Sequence, residues 1–346
     1  MRMPNVTPPV LQLHPSRACN LRCLHCYSSS APGEWQEQDV LLLSRAIADG
    51  ANLGYQVVSI SGGEPLLYSG LPSLLQETRR YGMRTTITTN GLLLDQRRIE
   101  LLTDRVDLLA ISLDGTPDRH NSMRNASRAF ETMHSRLSSL RSSGIPFGFL
   151  FTLTHENIDD LAWVAEFAAA EQAQLLQIHP LEEAGRARST LQGQTPTDVD
   201  AAITWLLVQR LSDEYSSRLR IHLDFLNRDA LRDYCRSGRT SGSGQCSKSG
   251  RLADFISPLV VEADGTVVPL QYGFPRAYAL GNLNDVPIME MARRWFSQAR
   301  LDWEGLWDRT SNLLCQTAEL PFVNLHESVF AAARESRSTP FAILNS

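Results

Sequence analysis

The sequence has no long apolar run. Nowhere among its 346 residues do about 18 apolar residues follow one another, which is the length that a membrane-spanning helix needs. The N-terminal stretch MRMPNVTPPVLQLHPS also lacks the apolar centre of a signal peptide. We therefore expect a cytoplasmic protein without a membrane partner.

A surplus of positive charge is missing as well. The formal net charge is −5, and the sequence pI is close to 5.9. Proteins that bind nucleic acid usually carry a basic surface, so we expect no nucleic-acid partner. The composition, 42% hydrophobic and 21% charged, is that of a globular protein. The length predicts one large domain with an appendage, or two domains.

Cysteine is scarce and unevenly distributed. Three of the six cysteines, Cys19, Cys23 and Cys26, fall within eight residues. In a reducing compartment such a group fits metal ligation better than disulfide formation. Four thiolates fill a [4Fe-4S] cluster, whereas three thiolates on one loop leave one iron open. The alternative is a structural zinc site with His14 or His25 as fourth ligand, which calls for a second CxxC or CxxH pair that the sequence lacks.

Strand and helix patterns alternate over the first half of the chain. Six apolar, β-rich segments are predicted as strands, at 10–14, 56–61, 84–89, 107–113, 147–154 and 175–179. Amphipathic stretches between them predict helices over 39–53, 70–81, 126–143 and 157–173. This order predicts an α/β fold with a parallel sheet; six right-handed βα units would form a partial, open (β/α)6 barrel, and a flat sheet is the alternative that periodicity alone does not exclude. In such folds the ligands lie at the carboxyl ends of the strands.

Polar residues follow several of the predicted strands. After the second strand, Gly62 and Gly63 allow the backbone to approach a ligand closely, and Glu64 can accept a hydrogen bond from an ammonium group. Other hydroxyl, amide and acidic groups follow strands three to five, where each alone is equally a cap or turn residue: Thr89, Asn90, Gly91, Ser112, Asp114, Gly115, Thr154 and Asn157. Arg124 and Arg186 either pair with a carboxylate of a cofactor or substrate or lie in solvent.

These motifs together resemble the radical S-adenosylmethionine (SAM) superfamily. The segment HPSRACNLRCLHCYSS carries the CxxxCxxC pattern with the aromatic Tyr27 directly after it, and the Gly-Gly-Glu motif follows the second strand. The resemblance implies a [4Fe-4S] cluster on Cys19, Cys23 and Cys26 as the catalytic centre. It also implies a SAM pocket that holds the methionine end on Gly62, Gly63 and Glu64 and the ribose near Ser112, with Tyr27, Thr89, Asn90, Asp114 and Thr154 beside them.

The same resemblance implies a reaction and a partner. Reductive cleavage of SAM gives a 5′-deoxyadenosyl radical, which abstracts hydrogen from a C–H bond while the protein orients the target carbon. The electron has to come from a reductase or a flavodoxin-type donor. The alternative class is an iron–sulfur or zinc-binding interaction protein that has kept the barrel and lost catalysis; it would bind metal without cleaving SAM.

The second half of the chain follows a different pattern. We place the radical SAM core at 1–190 and a smaller module at 191–346. Within the module we predict a helix over 198–217, a strand over 220–223 and a hairpin over 258–273 that turns at Asp264-Gly265. The Gly/Ser-rich tract before Cys246 is predicted to act as a lid. The module resembles a degenerate SPASM or twitch extension in which Leu270 replaces a cysteine. Either one auxiliary cluster or a set of buried thiols accounts for Cys235, Cys246 and Cys315.

The barrel with such a module is similar to enzymes that modify ribosomally made peptides. Because the first predicted strand begins at Val10, no fused leader-binding domain is expected before it. A peptide substrate would then need a separate recognition protein or an edge strand for β-augmentation. The alternative within the enzyme class is a non-peptide metabolite, such as a tetrapyrrole or a sugar.

Overall fold

A computed structural model describes residues 8–227, 229, 250–316 and 322–335. Seven strands of one sheet pair in parallel with their neighbours in chain order. They are β1 Val10–Leu13, β2 Val57–Ile60, β3 Arg84–Thr89, β4 Leu108–Ser112, β5 Phe147–Leu153, β6 Leu175–Pro180 and β7 Arg220–Leu223. All six predicted strands are confirmed, with each end within one residue of the prediction, and so is the predicted strand over 220–223.

Helices separate these strands along the chain. They are α1 Val40–Asn52, α2 Leu71–Arg80, α3 Gln96–Leu102, α4 Pro117–Arg124, α5 Ala129–Ser143, α6 Leu161–Ala170, α7 Ala187–Thr190 and α8 Asp198–Glu214. Side-chain caps begin several of them: Asp39 accepts a hydrogen bond from Leu41 N, and Asp95 accepts one from Arg98 N. The helices predicted over 39–53 and 70–81 are confirmed.

Three helix predictions need correction at their ends. The helix predicted over 126–143 begins only at Ala129, because the chain leaves α4 through Asn125 in a left-handed conformation with φ 53°. The one predicted over 157–173 is shortened by a tight turn at Ile158–Asp160. The long helix ends at Glu214 rather than 217. Helices α3 and α4 were not predicted.

The two faces of the sheet differ in polarity and exposure. Residues such as Leu11, Leu13, Ile87 and Phe151 are fully buried against the helices. The alternate residues are partly exposed and largely polar, among them Gln12, Ser59, Thr86, Thr88, Thr152, Gln177 and His179. A parallel sheet covered on both faces would be apolar throughout. The barrel interior is therefore accessible and polar, and it can admit a ligand.

The second half of the chain extends the sheet at its other edge. Strand β9, Leu259–Val261, pairs in parallel with β1, and β10, Thr266–Pro269, pairs antiparallel with β9. The turn lies at Asp264-Gly265, where Gly265 has φ 86°, so the predicted hairpin is confirmed. Since both β7 and β9 join the sheet of the first half, the boundary at 190 stays a prediction.

Smaller elements complete this half. They are strand β11 Gly281–Asn282 at the sheet edge, the two-stranded ladder of β8 Leu226–Asn227 with β12 Phe322–Val323, and helices α9 Ile288–Gln298, α10 Arg300–Gln316 and α11 Leu325–Glu335. In the described part of the chain, no helix combines the length and apolarity needed to cross a membrane. The predicted Gly/Ser lid, with Cys235 and Cys246, lies outside the described residues.

Candidate functional site

The three clustered cysteines lie on the loop that follows β1. None of them is in a disulfide; Cys23 is buried, and Cys19 and Cys26 are half-buried. The Leu21 N–H donates to Cys19 Sγ at 3.4 Å, and Ser28 Oγ lies 3.4 Å from Cys26 Sγ. Hydrogen bonds of this kind stabilise sulfur ligands of iron. Among the residues that the structure describes, no three His, Cys, Asp or Glu side chains converge as on a single metal ion.

The Gly-Gly-Glu segment after β2 holds the cysteine loop through its backbone. Gly63 N–H donates to Ser16 O at 2.8 Å, and Glu64 N–H donates to Ala18 O at 2.9 Å. A Cβ atom on Gly63 would lie 2.1 Å from Ala18 O, and one on Gly62, whose φ is 108°, would lie 2.8 Å from Ser16 O. Gly62 and Gly63 were expected to let a ligand approach the backbone closely. In the structure, the group that approaches them closely is the backbone of the cysteine loop.

This contact predicts the effect of a methyl group at Gly63. Gly63→Ala should lower the free energy of unfolding by about 3 kcal/mol, because the backbone of the cysteine loop cannot move aside as a side chain can. Urea unfolding would measure the change. The control is Gly305→Ala in α10, whose methyl group would meet only the end of the Arg309 side chain and would favour the helix. Equal stability of the two variants would contradict the close contact.

The Glu64 carboxylate is buried and accepts three hydrogen bonds from the protein. Its donors are Leu66 N at 3.1 Å, Thr89 Oγ1 at 2.8 Å and Asn90 N at 2.9 Å. Asn90 also donates from Nδ2 to Asn20 Oδ1 on the cysteine loop at 2.8 Å. Burial raises the pKa of Glu64. Thr89 and Asn90 thus tie the end of β3 to both loops, while the contact of Glu64 with an ammonium group stays a prediction.

A buried ion pair lies beside Cys23. Arg124 Nε donates to Asp114 Oδ2 at 2.6 Å, and its Nη1 lies 3.7 Å from Cys23 Sγ. His25 Nε2 lies 3.2 Å from the other oxygen of Asp114. Burial alone would raise the pKa of Asp114, but Arg124 and His25 outweigh it and hold that pKa below its usual range. Arg124 is therefore buried and paired within the protein, which corrects the expectation that it lies in solvent, while its pairing with a cofactor or substrate carboxylate stays a prediction.

Arg186 clamps the cysteine loop from the other side. Its Nη1 donates to Cys23 O at 2.6 Å, its Nη2 to Ser30 O at 2.8 Å and its backbone N–H to Cys26 O at 2.9 Å. A Cβ atom on the preceding Gly185 would lie 2.1 Å from Tyr27 O, so the two chain segments are in close contact. Arg186 is thus half-buried and bonded to the loop rather than free in solvent, while its pairing with a cofactor or substrate carboxylate stays a prediction.

Tyr27 belongs to an aromatic group that the sequence did not reveal. Its hydroxyl lies 3.1 Å from Ser61 Oγ, and its ring lies 5.7 Å from the rings of both His14 and Tyr272. Tyr272 reaches this place because the chain turns at Leu270, which is buried with φ 63°. His14 is fully buried, burial lowers its pKa to about 3, and neither ring nitrogen has a partner among the described residues.

Four further predicted residues lie in three different settings. Ser112 and Thr154 are buried at the ends of β4 and β5. Asn157 is a turn residue, since its Oδ1 accepts from Thr154 N at 2.7 Å and its Nδ2 lies 3.4 Å from Asp114 O. Cys315 is on α10, where it packs against the hydrophobic core.

The arrangement fits an iron–sulfur cluster with an organic cofactor beside it. Three thiols, the soft ligands that iron–sulfur clusters need, are carried on one loop that two other loops fix in place. The loop follows β1, so it lies at the carboxyl end of the sheet, whose partly exposed face is polar. Residues 13–168 match the family model described as Radical SAM superfamily, and this part of the chain belongs to that superfamily. The superfamily implies a [4Fe-4S] cluster and SAM.

Relatives of the chain include enzymes of two kinds. It is 31% identical to Fe-coproporphyrin III synthase from Methanosarcina barkeri, over 51% of this chain and 45% of that one. It is 26% identical to PqqA peptide cyclase from Ruegeria pomeroyi, over 72% of this chain and 64% of that one. The chain thus spans about half the length of the curated relatives it matches.

A solved structure shows the same fold. Streptococcus suis SuiB bound to its precursor peptide SuiA superposes with a TM-score of 0.67 at 14% identity, over 92% of this chain and 70% of that one. The likeness therefore extends beyond the superfamily match into the second half of the chain.

Proposed function

We propose that this protein is a radical SAM enzyme that modifies a ribosomally made peptide. A [4Fe-4S] cluster on Cys19, Cys23 and Cys26, with SAM bound, supplies on reduction a 5′-deoxyadenosyl radical that removes a hydrogen atom from a C–H bond. The observation that carries the proposal is the loop of three thiols, fixed by the Gly-Gly-Glu segment at an accessible, polar barrel interior.

The chain's own residues prepare this site. Arg124 and Arg186 hold the cysteine loop, so that its three thiols keep one geometry. Polar groups at the strand ends would bind the cofactor, with Gly62, Gly63 and Glu64 at its methionine end and Ser112 near its ribose. Tyr27, Thr89, Asn90, Asp114 and Thr154 would complete that pocket. Most of them support it indirectly, because Glu64, Thr89, Asn90 and Asp114 already bond to each other or to the loops.

A peptide is favoured over a tetrapyrrole by how far the similarities reach. The match to PqqA peptide cyclase covers 72% of this chain, and the likeness to SuiB covers 92%. The match to Fe-coproporphyrin III synthase covers 51%. Because the part beyond the barrel core is shared with the peptide enzymes, a tetrapyrrole is the second candidate.

The proposal includes the second half of the chain and two partners. Residues 191–346 would act as a SPASM/twitch-like module that clamps the substrate. A reductase or flavodoxin-type protein would supply the electron, and a separate protein would recognise the leader of the peptide. Whether Cys235, Cys246 and Cys315 add an auxiliary cluster is decided by counting iron.

The test is anaerobic reconstitution followed by reduction with dithionite. We expect 5′-deoxyadenosine to form from SAM, and a candidate peptide encoded beside the gene to change in mass. Four irons per chain would indicate a single cluster, and a higher count that falls when the three C-terminal cysteines are replaced would indicate an auxiliary one. A reconstituted protein that binds iron but forms no 5′-deoxyadenosine would instead support a non-catalytic iron–sulfur protein.

A further inference from the structure

A second group of charged side chains lies at the carboxyl ends of β6 and β7. His179 Nδ1 lies 2.8 Å from Asp224 Oδ2, and its Nε2 lies 3.1 Å from Glu182 Oε1. Burial by itself would lower the pKa of His179, but these hydrogen bonds outweigh it and raise the pKa to about 10. The ring is therefore a cation at neutral pH and donates to both carboxylates. Its side chain remains 36% exposed, as expected for a group that lines an open interior.

Both carboxylate oxygens of Asp224 have partners within the protein. Besides His179, it accepts from Gln177 Nε2 at 2.9 Å, and His222 Nε2 lies 3.1 Å from its other oxygen. Glu182, in contrast, uses Oε1 for His179, and no partner of its Oε2 is seen in the described part of the chain. The Asp224 carboxylate is thus hydrogen-bonded within the protein through both oxygens, whereas Glu182 has an oxygen that can accept a hydrogen bond from a ligand.

Helix α11 carries another carboxylate towards this group. Strand β12 pairs with β8 just after Asp224, which places the start of α11 over the end of β7. Glu327, in the first turn of α11, accepts from Gln271 Nε2 at 3.3 Å. Burial raises the pKa of Glu327, and the charge of Glu182 raises it further. The charges of His179 and Arg334 act in the opposite direction, so Glu327 shares its electrostatic environment with Glu182 and His179.

An unsatisfied polar group next to Glu327 also points to a ligand. Gln271 is only 8% exposed, and its Oε1 has no hydrogen-bond partner among the described residues. Buried polar atoms in native proteins are rarely left in this state. The adjacent Tyr272 packs on Tyr27, whose pKa is raised by burial first and also by the charge of Glu182. The group therefore lies near the cysteine loop as well.

Glu182 Oε2 and Gln271 Oε1, for which no partner is seen among the described residues, are acceptors, whereas the neighbouring His326 is a basic side chain whose pKa burial lowers. Glu182 and Glu327 offer carboxylate oxygens, and Gln271 offers an amide oxygen, so their complement is a positively charged donor. The arginines that hold the cysteine loop, Arg124 and Arg186, already bond to Asp114 and to loop carbonyls. A substrate with several carboxylates would therefore meet negative charge here.

We propose that Glu182 and Glu327, together with Gln271, form a substrate subsite for a cationic amino group, such as the ammonium or guanidinium of a basic peptide side chain. This subsite deepens the proposed function and rests on it. It gives the module formed by the second half of the chain a defined task, since Gln271 and Glu327 both come from that half. The target carbon would then be held at a fixed distance from a basic residue of the peptide.

The test compares three blocked pentapeptides that differ only in a central lysine, norleucine or glutamate. Their affinities for the reconstituted protein with SAM are measured anaerobically by calorimetry. We expect the lysine peptide to bind about ten- to a hundredfold more tightly than the norleucine peptide, as charge-assisted hydrogen bonds allow. Glu327→Gln and Glu182→Gln should each reduce that preference about tenfold. The control is Glu183→Gln, on the same loop but exposed, which should keep it.

The outcomes separate the subsite from the radical chemistry. Formation of 5′-deoxyadenosine by the same wild-type preparations, without peptide, reports on the proposed function alone. Equal affinities for lysine and norleucine, no binding of any peptide, or tighter binding of coproporphyrin III than of the lysine peptide would overturn the subsite. The glutamine in Glu182→Gln still offers an acceptor oxygen to His179, and the one in Glu327→Gln still offers an acceptor oxygen to Gln271. If Glu182→Gln does not fold, the result for Glu327→Gln decides the test.

Discussion

Replacing Cys23 with alanine is expected to remove the cluster and all SAM cleavage. Loss of a residue that merely supports a metal ligand costs about 10- to 100-fold in metal affinity or activity, so loss of a ligand itself should cost more than about 100-fold. Cys23 is also the most buried of the three cysteines, with its thiol next to Arg124 and its carbonyl held by Arg186. No water or neighbouring side chain would easily replace its sulfur there.

The measurement is the iron content and the visible absorbance after anaerobic reconstitution, followed by the yield of 5′-deoxyadenosine. Arg22→Ala is the matched control, because Arg22 lies between Cys19 and Cys23 on the same loop and its side chain is exposed. It should keep both iron and cleavage. An alanine variant at Cys23 with a full complement of iron would show that this thiol is not a ligand.

The barrel strands could be predicted because each carries its own signal. In β1, β3 and β6, residues that face the helices are buried and alternate with partly exposed ones, a pattern that the sequence records directly. Helix α4, PDRHNSMR, has no such signal, since its buried residues are His120 and Arg124 rather than apolar ones. The ion pair of Arg124 with Asp114 and the hydrogen bond from Asp114 N to His120 Nδ1 hold this polar segment against the barrel.

The site could be predicted where its members are neighbours in sequence. The three cysteines and the Gly-Gly-Glu segment are local motifs, and the structure brings them together through hydrogen bonds between their backbones. The roles of Arg124 and Arg186 depend on Cys23, which is 101 and 163 residues away, so no local pattern could show them. The same holds for Tyr272 and Glu327, whose places depend on how the second half of the chain returns to the barrel.

Replacing Arg124 with methionine is expected to lower the free energy of unfolding by about 3–5 kcal/mol, because Asp114 would keep a buried charge without its main partner. Arg119→Met on the same helix is the control. Arg119 pairs with Asp160 at 3.1 Å but is 46% exposed, and surface pairs contribute about 0–1 kcal/mol. Urea unfolding at neutral pH would compare the two variants. Equal losses would contradict the role of the buried pair.

The pH dependence of this difference tests its electrostatic origin. In the wild type the pKa of Asp114 lies below its ordinary value, so its stabilising contribution is present above that ordinary value and is lost only as pH falls through the lowered one. Without Arg124, burial would raise the pKa of Asp114, and the carboxyl group would bind a proton at a higher pH. The gap between wild type and Arg124→Met should therefore shrink as the pH falls from 7 to 5. Adding Asp114→Asn to Arg124→Met should recover part of the loss at pH 7, since the unpaired charge is then gone.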